Sequence, residues 1–282
     1  MESGLYVVAT PIGNLDDISR RALATLAAVD LIAAEDTRHS QRLLQHYSIA
    51  TPLVAYHDHS DERPVRRILA VLAGGGSVAL VSDAGTPLVS DPGYRLVRAV
   101  QDEGHSVRPL PGACAAIAAL SASGLPTDRF LFEGFLPARA GARGNRLEQL
   151  AGETATLVFY EAPHRLGESL ASMARYFGGD REAVLAREVT KTFETIRRDS
   201  LACLLAFVDA DSNQSRGEIV LLVAGRRATE QEISRELADL LQRLARELPV
   251  KTAAALVAEW SGVRKKLLYD YLVANREPQA PG

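Results

Sequence analysis

The segment from Ser77 to Val100 constrains the fold more than any other part of the chain. An apolar run, Ser77 to Val81, stops abruptly at Ser82-Asp83-Ala84-Gly85-Thr86-Pro87-Leu88-Val89-Ser90-Asp91-Pro92-Gly93. An amphipathic stretch, Tyr94 to Val100, follows. The order is strand, tight loop, helix, and in open α/β sheets ligands sit outside the carboxyl ends of such strands. Gly85 and Gly93 permit positive φ or close backbone approach, while Pro87 and Pro92 stiffen the loop. The loop carries neither G-x-G-x-x-G nor G-x-x-x-x-G-K-[ST], so it signals neither dinucleotide binding nor a P-loop.

The same alternation runs through the first half. Leu5 to Ala9, Leu31 to Ala34, Leu53 to Tyr56 and Val107 to Leu110 are further apolar runs, each suited to a parallel strand buried on both faces. Helical patterns lie between them: Ser19 to Leu26, Ser40 to Tyr47, Pro64 to Leu72, and a small-residue helix from Ala115 through Ser123. A doubly wound parallel sheet over residues 1–123 is expected. Gly124-Leu125-Pro126-Thr127 reads as a linker. Beyond it, strands are expected at Phe130 to Phe135, Thr156 to Tyr160, Val184 to Val189, Phe193 to Arg197 and Ile219 to Val223. Helices are expected at Asn145 to Leu150, Arg165 to Tyr176 and Leu201 to Phe207. The closer spacing of strands predicts a second α/β domain with a mixed sheet over 128–225. Residues 226–277 read as a helical extension, with helices at Glu230 to Glu247, Lys251 to Trp260 and Val263 to Val273. Pro278 to Gly282 reads as a frayed tail.

Bulk properties narrow the function. At 282 residues and a formal charge of −3, the chain does not bind polyanions through net charge, so any nucleic-acid contact needs a local basic patch. Arginine far outnumbers lysine. No apolar run approaches the roughly 18 residues of a membrane span. Met1-Glu2-Ser3-Gly4 lacks the basic start of a signal peptide, so a cytoplasmic protein without membrane contact is expected. Cys114 and Cys203 are far apart, and the His57/His59 pair has no third ligand nearby, so no metal is expected.

Three strand ends carry small or proline-bearing loops: Thr10 to Asn14, Ser82 to Gly93, and Pro111 to Ala115. Parallel strands put all three on one sheet edge, where backbone groups can cradle a flat, partly apolar ligand. Gly112, ahead of a helix, can aim N–H groups at a carboxylate. Titratable groups surround this edge: Asp36 and Arg38; the cluster Tyr160-Glu161-Ala162-Pro163-His164-Arg165; and Arg187, Glu188 and Lys191. Each also fits a plainer role as a surface pair, a first-turn acid or an edge charge. Basic candidates for nucleic acid are Arg139, Arg143 and Arg146, in a glycine-containing stretch that reads as a loop. Thr252 to Leu272 holds two short helices around Gly262, with Arg264, Lys265 and Lys266 opening the second. The pair resembles a helix-turn-helix, although a helical hairpin packed on the core fits as well.

Tyr6-Val7-Val8-Ala9-Thr10-Pro11-Ile12-Gly13-Asn14-Leu15-Asp16-Asp17-Ile18 resembles the N-terminal signature of one branch of the tetrapyrrole-methylase superfamily. Ala34 to Arg38, Ser82 to Gly93, Tyr160 to Arg165 and Ala186-Arg187-Glu188-Val189-Thr190-Lys191 are similar to that branch too. The branch is the 16S ribosomal RNA ribose-2′-O-methyltransferase family, which methylates a decoding-centre cytidine, and the resemblance runs from Leu5 to Val273. It implies two α/β domains with a cleft between them for S-adenosylmethionine, a substrate in the small ribosomal subunit, and a homodimer. Transferred onto this sequence, cofactor contacts fall on Pro11, Gly85, Val89, Ser90, Asp91, Cys114, Ala115 and Tyr160. Cys114 departs from the superfamily, where a hydroxyl residue is frequent, which removes a side-chain hydrogen bond but not the backbone contacts. A ribose hydroxyl needs a proton acceptor, for which Glu161, Glu188 and Asp36 are candidates, and Lys191 or Arg187 can stabilise the developing alkoxide. Arg38, with the two basic groups above, completes the expected RNA contacts. Two other readings stay open: a methyltransferase acting on a small tetrapyrrole, and a nucleic-acid-binding regulator with a ligand-sensing α/β part.

Overall fold

The computed structural model describes residues 1–57, 62–226, 233 and 235–275. They fall into two compact units, Met1–Arg226 and Arg227–Gly282, each with its own core. The first unit holds both sheets. Strands β1 (Gly4–Val8), β2 (Leu31–Ala34), β3 (Leu53–Ala55), β4 (Ser77–Val81) and β5 (Val107–Leu110) form a parallel sheet in the order β3-β2-β4-β1-β5. Helices α1 (Arg20–Ala28) and α2 (Thr37–His46) pack on one face, α3 (Glu62–Ala73) and α4 (Tyr94–Asp102) on the other. In β4, Ala79 and Val81 face the first pair while Val78 and Leu80 face the second. Side chains alternate across a strand, so burial on both faces demands the unbroken apolar run seen in the sequence.

Helix α5 (Ala115–Ala122) follows β5 but packs on the second sheet. That sheet contains β6 (Phe130–Phe135), β7 (Thr156–Glu161), β8 (Glu182–Arg187), β9 (Thr195–Ser200) and β10 (Ile219–Val223), in the order β6-β7-β10-β8-β9. Only β6 and β7 pair in parallel; the other pairs are antiparallel. Helices α6 (Ala140–Leu150), α7 (Leu166–Phe177) and α8 (Leu201–Ala210) cover its far face through Leu147, Leu170 and Leu204. The near face, Val158, Val184, Val220 and Leu222, takes Ala116, Ala119 and Leu120 of α5. The small side chains of α5 thus tie one sheet's last crossover to the inner face of the other. The fold is α/β in two sheets with a helical C-terminal part.

Several boundaries differ from expectation. The strand expected to reach Val189 ends at Arg187, because Glu188 and Thr190 take left-handed conformations at φ 52° and 67°. The next strand begins at Thr195 and runs to Ser200. Helix α6 begins at Ala140 despite its glycines. There Gly144 serves packing rather than a loop: a Cβ on it would lie 2.5 Å from the Tyr176 hydroxyl.

In the second unit α9 (Arg235–Glu247), α10 (Val250–Ser261) and α11 (Lys265–Ala274) bury Leu237, Leu241, Ala254, Val257, Leu268 and Leu272 together. Gly262 caps α10 in the left-handed region at φ 71°, turning the chain into α11. Glu230, the expected helix start, and the tail from Pro278 lie outside the described residues.

Candidate active site

Strands β4, β1 and β5 are neighbours, so the loops at their carboxyl ends are neighbours too. The Thr10 N–H donates to the Gly85 carbonyl at 2.8 Å, and the Gly85 N–H donates back at 3.1 Å. The Thr86 hydroxyl donates to the Ala113 carbonyl at 2.9 Å. The three turns thereby form one wall of a cavity of about 290 Å³. Phe135, Tyr160 to Pro163, Val189 and Gly217 to Val220 form the other wall. The cavity therefore lies between the carboxyl edge of the first sheet and the near face of the second. Leu88 and Ser90 hold left-handed conformations at φ 73° and 63° in this loop. Such non-glycine strain costs on the order of 1–3 kcal/mol per residue and gathers at ligand sites. Gly93 closes the loop at φ 137°, where a Cβ would stand 2.9 Å from the Leu80 side chain.

Of the residues expected to hold the cofactor, Gly85, Val89, Ser90, Asp91, Cys114, Ala115 and Tyr160 line this cavity. Pro11 does not; its neighbour Ile12 does. Cys114 caps α5 without a side-chain hydrogen bond. The Tyr160 hydroxyl accepts the Ala116 N–H at 3.3 Å, and its ring meets Phe132 and Phe135 edge-on. Burial pushes its phenol far above the ordinary range, so it stays protonated. Apolar walls from Ile12, Val89, Phe135 and Ile219, exposed backbone, and the carboxylates of Asp91 and Glu218 suit a flat cationic ligand such as S-adenosylmethionine.

The expected catalytic set divides. Glu161 lines the cavity, but its carboxylate accepts the Ala162 N–H at 2.8 Å, pairs with Arg165 at 2.9 Å and accepts the Ser169 hydroxyl. With both oxygens engaged inside the protein, it fixes the turn from β7 into α7 and is not a spare base. Asp36 lies outside the cavity and caps α2, accepting the Arg38 N–H at 2.8 Å. That bond holds its carboxyl below the usual range. Arg187 is buried and donates to the carbonyls of Phe193 at 3.1 Å and Arg216 at 3.4 Å. It braces the chain beside the cavity rather than facing it.

Glu188 and Lys191 stay at the rim. Lys191 Nζ lies 2.9 Å from Glu188 and 3.1 Å from Glu218, which lines the cavity. Its stem crosses Gly13 of the first loop, where a Cβ would fall 2.6 Å from Lys191 Cε. Burial opposes the Lys191 charge, yet the hydrogen bonds to Glu188 and Glu218 carry its pKa upward. Burial likewise opposes the Glu188 charge, but Lys191 and the Glu218 N–H bring its pKa down. Both are therefore charged at neutral pH. Asp91 is the opposite case: burial first, and then Asp83, raise its carboxyl although Ser82 bonds to it. Burial also raises Glu35, with Asp83 and Asp91 adding to it.

Sequence reasoning passed over Glu218, Phe135 and Glu35. Glu218 immediately precedes β10, a strand-end position that was a usable signal. Lys191 carried another: it is the one lysine in the first 250 residues of an arginine-rich chain. A compact ammonium there is not replaced by a guanidinium.

The expected RNA contacts also divide. The Arg38 side chain is 89 % exposed, and Arg139 is exposed. Arg143 is instead buried, donating to Ser172 at 3.1 Å and pairing with Glu168 at 3.1 Å. Arg146 is held by both oxygens of Glu133 at 2.8 Å. Both lie on α6; burial takes Arg143 out of reach of RNA, whereas the Arg146 side chain stays 42% exposed beside Glu133. Arg264, Lys265 and Lys266 are exposed at the start of α11. Among the described residues no group of three or more His, Cys, Asp or Glu side chains could hold a metal ion; His59 lies outside them. No helix of the described residues is long and apolar enough to cross a membrane.

Two sheets enclosing a cleft at the carboxyl ends of parallel strands match a known class. Residues 4–205 fit the family described as Tetrapyrrole (Corrin/Porphyrin) Methylases, and residues 231–276 fit the RsmI C-terminal HTH domain. Among solved structures, cobalt precorrin-4 methyltransferase CbiF has the same fold, with a TM-score of 0.59 and 18% identity over 78% of this chain and 94% of that one. Uroporphyrin-III C-methyltransferase from Thermus thermophilus, complexed with S-adenyl homocysteine, gives a TM-score of 0.53 and 19% identity over 78% of this chain and 97% of that one. The Ribosomal RNA small subunit methyltransferase I of Pseudomonas aeruginosa is 61% identical over 94% of this chain and 95% of its own length. The chain belongs to the tetrapyrrole methylase family, in the branch of the small subunit methyltransferase I proteins. It is a methyltransferase that takes S-adenosylmethionine as donor, which sets aside a purely regulatory role.

Proposed function

We propose that the protein methylates the ribose 2′-oxygen of a cytidine in the decoding region of 16S rRNA, acting on the small ribosomal subunit as a cytoplasmic homodimer. The observation that carries this reading is 61% identity along nearly the whole chain to a ribosomal RNA small subunit methyltransferase I, helical C-terminal part included. Tetrapyrrole methyltransferases share the fold, but at 18% identity the likeness reaches no further.

S-adenosylmethionine supplies an already activated methyl group, so the protein's work is positioning and proton removal. Gly85, Val89, Cys114 and Ala115 present backbone and small side chains to the donor, and Tyr160 walls the cavity beside Phe135. Asp91 takes the 2′-hydroxyl proton. It lines the cavity, and its raised pKa makes it a better acceptor than an ordinary carboxylate, whereas Glu161 and Asp36 are spent on structure and Glu188 is lowered. The Lys191 ammonium, charged at neutral pH, stabilises the developing alkoxide or holds a neighbouring phosphate.

The test is direct. The protein is incubated with methyl-labelled S-adenosylmethionine and small subunits that lack the modification, and the label is mapped by nuclease digestion. Label on a cytidine ribose 2′-oxygen supports the reading. Label on a base, or on a tetrapyrrole but not on RNA, overturns it.

A further inference from the structure

The C-terminal unit carries a surface that the methyl-transfer cleft does not use. Trp260, the chain's single tryptophan, sits in the last turn of α10 and is 76% exposed. An indole of this size is seldom left so open without a partner. Leu256, one helical turn earlier on the same face, is 47% exposed. Two residues after Trp260, Gly262 turns the chain left-handed, and Arg264, Lys265 and Lys266 then open α11, all exposed. From Val250 to Asn275 the chain has four cationic side chains against two acidic ones, Glu259 and Asp270. The chain as a whole is anionic, at −3. Three of its four lysines fall in this stretch.

We infer that Trp260 and the basic start of α11 bind a single-stranded segment of RNA, with Trp260 stacking on one unpaired base and Arg264, Lys265 and Lys266 meeting the flanking phosphates. An aromatic face beside clustered cations is the pairing that single-stranded nucleic acid needs, because every base has a π-face and every linkage a negative charge. The backbone supports the assignment of the phosphates. The side chain of the cap residue Arg264 accepts none of the N–H groups that open α11, so the first of these, in a ten-residue helix, stay open to an anion next to Lys265 and Lys266. A duplex fits less well: an indole at the end of α10, ahead of the turn, has no exposed base to cover unless a base is flipped out.

This inference deepens the RNA reading above and rests on it, and its test is independent of turnover. Because Trp260 is the only tryptophan, emission of the full-length protein under excitation selective for tryptophan over its eight tyrosines reports on this site alone. The protein is titrated with an unstructured oligoribonucleotide of about twelve nucleotides and with the same sequence as a duplex, while anisotropy of labelled RNA measures binding. Saturable quenching by the single strand is expected. Trp260→Ala should weaken single-strand binding about fivefold or more, while Trp260→Phe, which keeps a ring, should lose less. Lys265→Ala with Lys266→Ala should flatten the salt dependence of binding.

Binding without quenching, or equal quenching by the duplex, overturns the stacking assignment. No binding of either RNA overturns the whole surface. An emission shift that follows protein concentration without RNA marks a contact between copies instead, and also overturns it. Methylation of small subunits by the unaltered protein is measured alongside. Intact methylation with no quenching removes only this surface; quenching with no ribose methylation removes only the 2′-O reading.

Discussion

Gly13→Ala tests whether the contact across the cleft matters for chemistry. A methyl group on Gly13 would crowd Lys191 Cγ most closely and stand 2.6 Å from Cε and 3.0 Å from Cδ. Carbon–carbon contacts settle near 3.5–4.0 Å, so the lysine stem must retreat by about 1 Å. The neighbour that gives way is a flexible side chain, but Gly13 lies at φ 157°, which a residue with a Cβ rarely adopts, so the fold should survive with a lowered Tm. The ammonium, now 2.9 Å from Glu188 and 3.1 Å from Glu218, loses that position. Misplacing a reacting group by about 1 Å can cost about a hundredfold. Lys191 is a quarter exposed and water replaces part of its effect, so the expected loss is smaller. Single-turnover methyl transfer to small subunits should fall at least about tenfold, or about 1.4 kcal/mol in the barrier. The Kd for S-adenosylmethionine, from calorimetry, should stay within about threefold, since neither Gly13 nor Lys191 lines the cavity. Lys191→Ala should match this loss, and the double variant should be no worse than Lys191→Ala alone. Gly13→Ala turnover within twofold of the parent, or additive losses in the double variant, would refute the argument.

Three further outcomes follow from the same geometry. Tyr160→Phe, losing one hydrogen bond to Ala116, should change donor affinity only a few-fold, whereas Tyr160→Ala opens the wall beside Phe132 and Phe135 and should raise the Kd about tenfold; calorimetry distinguishes them. Arg143→Ala should destabilise the first unit by about 1–3 kcal/mol, seen as a lowered Tm, and leave RNA affinity unchanged, because this arginine is buried against Ser172 and Glu168. The Glu188–Lys191 pair should stabilise the fold evenly from about pH 6 to about pH 9, by double-mutant cycle. Glu188 is lowered, so its share is present above the ordinary carboxylate value of about 4.3 and is lost as pH falls through its folded value. Lys191 is raised, so its share is present below about 10.4 and is lost as pH rises through its folded value; a decline near neutrality would contradict both shifts.

The sequence by itself determined the strands and the turns that line the cavity. Apolar runs such as Ser77 to Val81 can be satisfied only by burial on both faces, and parallel strands deliver their following loops to one edge. Glycine and proline at Gly85, Pro87 and Gly93 marked that edge because backbone shape is a local property. What each charged side chain does was decided by the tertiary structure. Glu161 and Asp36 look in sequence like Glu188, yet one is spent on Arg165 and Ser169, one caps a helix, and the third meets Lys191. Arg143 and Arg139 stand four residues apart, but Arg143 lies within α6 and is covered by Ser172 and Glu168, while Arg139 caps the helix and is exposed. Partner and burial set a charge's role, and both are supplied by chain segments distant in sequence, as when Lys191 comes to rest on Gly13.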